Sequence, residues 1–169
     1  GSGRSRGEGG GWGQGWTGAR LWGGEGWRKG RADARAGRTG MAANTGQMEI
    51  LRAALESVSL RFRNIYDIMK ESIGAPKEVI ASGGALLHSP AWTQMMADAL
   101  GRPVRACTEL EASCRGAALW ALERTGAIEN LSALPASTGA VFSPRPDYEP
   151  VYDRLLSAQT RVFNKLFAT

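Results

Sequence analysis

The composition of this chain changes abruptly near residue 40, and that change limits how much of the sequence can build a hydrophobic core. Residues 1–40 contain 15 of the 23 glycines and four of the six tryptophans of the 169-residue chain. Glycine loses more conformational entropy on folding than any other residue, and this segment has neither a helical nor a strand period. The sequence therefore predicts a disordered Gly/Arg/Trp-rich leader over residues 1–46 and a folded domain over residues 47–169.

The net charge of the chain comes entirely from the leader. Residues 1–40 carry eight basic and three acidic residues, which gives +5, whereas residues 41–169 carry 13 of each. The high pI therefore does not indicate nucleic-acid binding by the folded domain. Two interpretations of the leader stay open: a segment that stacks on single-stranded RNA, or a leader foreign to the protein. The second is favoured because Met41 would make a reasonable start.

The sequence shows no sign of a membrane or of an oxidising compartment. No apolar run is long enough to cross a membrane, and the N-terminus lacks the apolar core of a secretory signal. Cys107 and Cys114 are predicted to be reduced thiols, and two sulfurs alone do not complete a zinc site. We therefore expect a cytoplasmic protein with no metal site of its own.

The longest helical pattern covers residues 47–73. Apolar residues recur there at spacings of three and four from Ile50 to Met69, and Gly74 followed by Pro76 ends the pattern. Three further helices are predicted, over residues 90–100, 112–124 and 151–167. The helix over 112–124 is rich in small residues, which should let it lie very close to a sheet or to another helix, most of all at Gly116.

Two short segments, residues 78–82 and 103–107, are predicted to be strands. Because strands and helices alternate, the pattern indicates an α/β fold with parallel pairing. Residues 130–150 contain four prolines and are predicted to form a loop. Two strands are too few for a sheet covered by four helices, so one sheet edge and one helix face should lack a partner. The ordered part therefore resembles a piece of a larger domain.

The stretch EVIASGGALLHSPAW, residues 78–92, places Gly83 and Gly84 directly after a predicted strand. Ser89-Pro90 is a good helix start, because serine caps the N-terminus and proline suits the first helical position. Paired glycines at a strand end let a ligand approach the backbone closely. Backbone N–H groups at a strand end, with a helix N-terminus after them, favour an anion or a nucleotide.

Three segments taken together resemble the C-terminal domain of the FGGY carbohydrate kinases: ILRAALESVSLRF, ASGGALLHSPAWTQMMADALGRPV and EASCRGAALWALE. The gluconokinase and xylulokinase branches look most similar, and the resemblance covers residues 47 to 169. It implies a partial actin-like, ribonuclease-H-like ATPase domain. It also implies that ATP, accompanied by Mg²⁺, binds mainly to this domain. The sugar and the catalytic aspartate would belong to an N-terminal domain.

The same resemblance implies which residues lie near the nucleotide. The Gly83-Gly84 turn would lie beside it, where a Cβ would clash. The adenine edge would be lined either by His88, four places after the second glycine, or by Ser89, because this stretch is one residue longer than in many members. Asp98 is expected to be structural rather than catalytic. No residue matches the family's catalytic aspartate or a metal site, because the N-terminal domain has no counterpart in this sequence.

The sequence therefore predicts the nucleotide-binding C-terminal portion of an ATP-dependent carbohydrate kinase. The parent reaction would transfer a phosphoryl group to a sugar or sugar-acid hydroxyl, of the gluconate or xylulose type. Such a transfer needs a base, a metal and a sugar pocket, so whether this chain is itself an enzyme stays open. The sugar is expected as a partner only when the N-terminal domain is supplied. The alternative is a non-catalytic remnant that binds a nucleotide or a protein weakly.

Overall fold

The structure is a computed structural model that describes residues 40–167, with side chains described as far as residue 165. Most of the predicted leader therefore lies outside the described residues. Its last part, residues 40–46, contains a turn but neither helix nor strand. The main elements in the described range are, in chain order, α1 Gln47–Ile73, β1 Val79–Ala81, α2 Gly84–Leu87, α3 Pro90–Leu100, β2 Val104–Cys107, α4 Ala112–Arg124, β3 Thr138–Phe142 and α5 Glu149–Phe167.

One face of the sheet packs on α3. The strand order is β1-β2-β3, with β1 and β2 parallel and β2 and β3 antiparallel. Successive side chains of a strand point to opposite faces, so the register places one set of apolar residues towards the helix. That set comprises Val79, Ala81, Val104 and Phe142, and it packs with Met96, Ala97 and Leu100 of α3 and with Tyr66 of α1.

A second core joins α1, α3 and α5 through Leu60, Ala99, Tyr152 and Leu155. Helices α1 and α3 run in the same direction. Trp92 Nε1 donates to the Leu55 carbonyl at 3.3 Å in the first half of each helix, and Arg63 Nη1 donates to the Ala99 carbonyl at 2.8 Å further along both. Because α3 follows β1 through a short connection, the N-terminal halves of both helices lie towards the carboxyl end of β1.

The sequence-based helix and strand assignments hold for most of the ordered chain. The bounds of α1, α3 and α4 coincide with those predicted, and both predicted strands are present, each slightly shorter than expected. The short helix α2 was not predicted. The last helix begins at Glu149 rather than at residue 151, because a 3₁₀ turn over Pro146–Tyr148 leads directly into it.

The prediction that residues 130–150 form a loop is wrong, because β3 lies within them and gives the sheet a third strand. Between the pairs Arg105–Val141 and Cys107–Thr138, β3 advances three residues while β2 advances two, so β3 contains a bulge. A Cβ on Gly139 would lie 2.9 Å from Thr108 Cγ2, so a larger residue there would displace the Thr108 side chain. That glycine and the flanking prolines gave the segment the composition of a loop.

The opposite face of the sheet is uncovered among the described residues. Ile80, Arg105 and Val141 share that face, and Ile80 and Val141 are 39% and 48% exposed. In the described part of the chain β1 pairs with β2 alone, so its other edge has no strand partner there. We group this face and helix α4 under the name open side, because neither contains a buried residue in the described part of the chain.

The expected close packing of α4 is not found in the described part of the chain. No residue of α4 is buried, and a Cβ built on Gly116 would have no neighbour within 4 Å. Small residues allow a close approach, but another surface has to be present for them to contact. The short 3₁₀ turn over Leu131–Ala133 packs against α4, and the Leu131 N–H donates to Glu123 Oε1 at 2.8 Å.

Candidate functional site

Strand β1 ends in an exposed turn at Gly83 and Gly84. Gly83 has φ +98° and ψ 137°, a conformation that residues with a side chain rarely adopt, and there the chain turns into α2. A Cβ on Gly84 would contact only His88 Cδ2, at an ordinary distance of 3.7 Å. The backbone conformation therefore requires glycine at position 83, whereas nothing in the described part requires it at position 84. The space beside Gly84 is open to a ligand.

The first residues of α2 have backbone N–H groups without a partner inside the helix. The N–H groups of Leu86 and Leu87 both donate to the Gly83 carbonyl at 3.1 Å, and that of His88 donates to the Gly84 carbonyl at 2.9 Å. The N–H groups of Gly84 and Ala85 lie in the first turn of α2, where no carbonyl of the helix is available to accept them. Two amides next to an open, Cβ-free position suit the close approach of an anionic ligand.

His88 and Ser89 both lie in the turn between α2 and α3, but their side chains differ in what they contact. His88 is exposed, and its ring lies beside the Gly84 backbone. Ser89 caps α3 as predicted, since its Oγ accepts the Trp92 N–H at 3.4 Å. The structure therefore brings the His88 ring and Gly84 together, while the Ser89 hydroxyl already has a structural role.

The end of β2 lies next to this turn. Ala81 is opposite Ala106 in the parallel register, so the residues that follow both strands meet at the same edge of the sheet. There the Cys107 Sγ accepts the Glu109 N–H at 3.4 Å, just before α4. Open α/β sheets bind ligands at the carboxyl ends of their strands. Sequence reasoning did not select Thr108 or Glu109, although their position directly after a predicted strand was a usable signal.

A buried threonine also contacts the turn, and the sequence patterns did not single it out. Thr93 is 2% exposed, and its Oγ1 lies 2.9 Å from the Leu86 carbonyl and 3.2 Å from the Ser89 carbonyl. The signal in the sequence was its place one turn after the capping serine. There a hydroxyl can reach the carbonyl groups of the preceding turn.

Asp98 is structural, as predicted. Its side chain is fully buried and accepts four hydrogen bonds, from Gln94 Nε2 and from the backbone N–H, Nε and Nη2 of Arg145, at 2.6–3.0 Å. The hydrogen bonds to the Asp98 carboxylate raise the pKa of Arg145 above its ordinary value. The guanidinium also lies over the Tyr148 ring at 3.9 Å. Asp98 therefore ties α3 to the segment after β3 and cannot reach a substrate.

The described residues show neither a metal-binding cluster nor a membrane span. Between residues 40 and 167, no group of three or more His, Cys, Asp or Glu side chains is placed to hold a metal ion. In the same range, no helix is long and apolar enough to cross a membrane. Cys107 and Cys114 are both free thiols.

Comparisons with known sequences agree with the resemblance seen in the three motifs. The family model for the FGGY family of carbohydrate kinases, C-terminal domain, matches residues 22–123. Glycerol kinase 1 of Thermotoga maritima is 35% identical over 121 residues, which cover 71% of this chain and 24% of that protein. Gluconokinase of Bacillus subtilis is 28% identical over 114 residues, which cover 68% of this chain and 22% of that protein.

Solved structures give the same result. The xylulose kinase from Rhodospirillum rubrum superposes with a TM-score of 0.68 and 32% identity, over 79% of this chain and 28% of that protein. The Plasmodium falciparum glycerol kinase with ADP superposes with a TM-score of 0.59 and 26% identity, over 80% of this chain and 27% of that protein. This chain therefore spans about a quarter of the length of the relatives that it matches.

The matched range bears on the domain boundary as well. It begins at residue 22, inside the predicted leader, and ends at residue 123, so the division at residue 46 stays a prediction. The matched range still exceeds half of the chain, and it contains β1, the glycine turn, α3, β2 and nearly all of α4. The chain belongs to the FGGY family of carbohydrate kinases and carries part of their C-terminal domain, with the actin-like ATPase fold of that family.

Proposed function

We propose that this chain supplies the nucleotide-binding part of an ATP-dependent carbohydrate kinase, and that ATP meets the backbone at the Gly83-Gly84 turn. The observation that carries the proposal is the position of Gly84. The residue is exposed beside open space, its N–H has no partner within α2, and no described neighbour excludes a side chain there. A requirement for glycine at this position would then come from a ligand. A related glycerol kinase that was solved with ADP supports this interpretation.

His88 is the better candidate for the adenine edge. Its exposed ring lies beside Gly84 and offers both an aromatic face and ring nitrogens, whereas the Ser89 hydroxyl caps α3. We therefore propose that Gly83 and Gly84 make room for the nucleotide and that His88 contacts the base. Ser89 would contribute through its backbone and through the N-terminal cap that its side chain forms on α3.

The proposed reaction transfers the γ-phosphoryl group of ATP to a hydroxyl of a sugar or sugar acid, of the gluconate or xylulose type. Relatives named glycerol kinase extend the class of acceptors to polyols. Asp98 and Asp67 do not suit the role of catalytic base, because Asp98 is buried and Asp67 pairs with Arg63 at 3.1 Å. The base and the sugar pocket would belong to the N-terminal domain of the family.

Such a transfer depends mostly on positioning and on charge stabilisation. When Mg²⁺ is bound with ATP, it supplies charge neutralisation at the phosphates. Because no metal-binding cluster is present among residues 40–167, we propose that Mg²⁺ is held by the phosphates and by the other domain. The contribution of this chain is to bind and orient the nucleotide. We place the activity in the cytoplasm, where the two free thiols would stay reduced.

The test is a calorimetric titration of the 169-residue chain with Mg-ATP, comparing the wild type with Gly84→Ala. The variant should fold normally, since the new Cβ meets only His88 at 3.7 Å. Its affinity for ATP should fall by about tenfold or more, because the Cβ occupies space that the nucleotide needs. Gly116→Ala is the matched control. It is another helical glycine with open space around its Cβ position, and it should bind like the wild type.

The alternative, a protein-binding module without nucleotide, is favoured by the apolar side chains of the open side. Ile80, Val141 and Trp120 are 39%, 48% and 60% exposed. Exposed apolar groups of this kind mark interaction surfaces. If the wild type gives no heat with Mg-ATP at millimolar concentration, the nucleotide proposal fails and this alternative takes its place. Equal affinities of the wild type and Gly84→Ala would remove the glycine turn from the binding site.

A further inference from the structure

We propose that Thr93 is a positioning residue for the nucleotide turn, and that its buried hydroxyl holds α2 in the place where the Gly84 backbone and the His88 ring meet a ligand. This inference rests on the proposed function of the turn. It adds a residue that would not touch the nucleotide, on a helix that covers the sheet.

Helix α2 is too short to be stable without contacts from neighbouring elements. It has four residues, and none of them is buried. Helices this short are not stable in isolation, because nucleation fixes several residues for a single hydrogen bond. Leu86 is only half-buried where it packs against the first core. The position of the turn therefore depends on contacts with neighbouring elements.

Thr93 makes the polar contact between α3 and α2. Its hydroxyl has one proton, so it donates to one carbonyl at a time, and the Leu86 carbonyl at 2.9 Å is closer than the Ser89 carbonyl at 3.2 Å. The Leu86 carbonyl also accepts the Ser89 N–H at 3.0 Å. Because Thr93 is 2% exposed, water does not readily replace its partner.

The helix that carries Thr93 is fixed at several other points. Trp92 Nε1 donates to the Leu55 carbonyl of α1 at 3.3 Å, and the Asp98 carboxylate binds Arg145. Met96, Ala97, Ala99 and Leu100 are buried in the two cores. A firmly held helix thus presents one buried hydroxyl to a short, weakly held helix, which is the arrangement that positioning requires.

The test uses two comparisons in which the main difference is the hydroxyl group: the wild type with Thr93→Val, and Thr93→Ser with Thr93→Ala. Thr93→Val keeps the branched shape and removes the hydroxyl. Thr93→Ser and Thr93→Ala both lack the γ-methyl group and differ from each other only in the hydroxyl, so they provide the same contrast if the valine variant does not fold. Ser57→Ala is the matched control, because Ser57 is also 2% exposed and its Oγ donates to the Ala54 carbonyl within α1 at 2.9 Å.

The first readout needs no ligand. It is the hydrogen-exchange rate of the Leu87 and His88 amides, whose bonds to Gly83 and Gly84 close α2. Loss of one buried hydrogen bond should raise these rates by about fivefold in Thr93→Val, and in Thr93→Ala relative to Thr93→Ser, while Ser57→Ala leaves them unchanged. Unchanged rates in Thr93→Val would overturn the inference whether or not ATP binds.

The second readout is the dissociation constant for Mg-ATP. We expect it to rise by about fivefold in Thr93→Val and Thr93→Ala, and to stay near the wild-type value in Thr93→Ser and Ser57→Ala. If the wild type and Thr93→Val bind Mg-ATP with the same dissociation constant, the role of Thr93 is overturned while the proposed function of the turn stands. A wild type that does not bind ATP would remove the proposed function, and with it the role of Thr93 towards a nucleotide, even if the exchange rates change as expected.

Discussion

The two faces of the sheet come from the same three strands, yet they differ in what covers them. The face that contains Val104 packs against Met96 and Leu100 of α3, which are only 4% and 6% exposed. On the open side, Ile80 and Val141 keep 39% and 48% of their surface exposed, and α4 has no buried residue. Successive residues of each strand point to opposite faces, and both faces carry apolar side chains. The difference in exposure therefore comes from the helices that pack on one face and not on the other.

This difference separates the parts of the chain that hold the fold from those that do not. The packed side contains both cores and the buried Asp98 carboxylate with its half-exposed partner Arg145, and it fixes α3, whose N-terminal end adjoins the glycine turn. Changes on that side should therefore cost stability, and through α3 they should reach the candidate site. Equivalent changes on the open side should cost little.

The largest expected effect is that of Met96→Ala. Met96 is 4% exposed in the first core, and truncation there leaves a cavity that should lower the free energy of unfolding by about 2–5 kcal/mol. On the open side, Val141→Thr exchanges a methyl group for a hydroxyl at a half-exposed position and should stay within about 0.5 kcal/mol of the wild type. Urea denaturation measures both values. Similar losses from the two variants would mean that both faces are covered in solution.

The next effect compares two ion pairs. Asp98→Asn replaces a fully buried carboxylate that accepts from the Arg145 guanidinium, and it should cost about 2–3 kcal/mol of unfolding free energy. The Glu78–Arg105 pair is 44% and 40% exposed, so Glu78→Gln should cost less than about 1 kcal/mol. The same denaturation curves give both values. A larger loss from Glu78→Gln would contradict the distinction between the two sides.

A smaller effect depends on pH. Burial raises the pKa of Tyr152, which is 2% exposed, above the ordinary value of about 10 for tyrosine. The folded protein therefore holds this proton more tightly than the unfolded chain. The stability that the neutral side chain contributes is complete below pH 10 and is lost as the pH rises above that value. Unfolding curves of the wild type and Tyr152→Phe should differ by a constant below pH 10, and the variant should gain relative stability above it. Parallel pH profiles up to pH 11 would count against this cause.

The smallest effect is expected on α4. Trp120 is 60% exposed, with the Arg124 guanidinium 5.8 Å from its ring, so Trp120→Ala should change the free energy of unfolding by less than about 0.5 kcal/mol. Tryptophan fluorescence can follow the transition through Trp92, which hydrogen-bonds to α1. A loss above about 2 kcal/mol would show that α4 is packed in solution, and the open side would then be misassigned.

The sequence predicted those parts of the fold that depend on local patterns. The periodicity from Ile50 to Met69 predicted α1, and Ser89-Pro90 predicted the start of α3, because capping and amphipathic spacing act within a few residues. The third strand was not predicted, because Gly139 and the nearby prolines are typical of loops, and the close contact of Gly139 with Thr108 forms only across the sheet. The expected close packing of α4 is not seen among residues 40–167 for a similar reason, since small residues do not reveal whether a partner surface is present.

The candidate site was predictable in part. The paired glycines after a strand indicated a place of close backbone approach, and the positive φ of Gly83 agrees with the need for glycine in that turn. The roles of Thr93 and of the Asp98–Arg145 pair were harder to see. The Asp98–Arg145 contact spans 47 residues of sequence, which no local pattern encodes, whereas the contact of Thr93 with Leu86 spans seven residues and was indicated only by the capping serine one turn earlier.

The most direct test of the whole account is a titration of the ¹⁵N-labelled chain with Mg-ATP, followed by amide chemical shifts. We expect the largest shifts at residues 82–89 and at the residues after β2, 107–113, with little change along the exposed face of Ile80 and Val141. Shifts centred on that exposed face, or no shift at millimolar ATP, would contradict the claim that a nucleotide binds at the Gly83-Gly84 turn, where β1 ends.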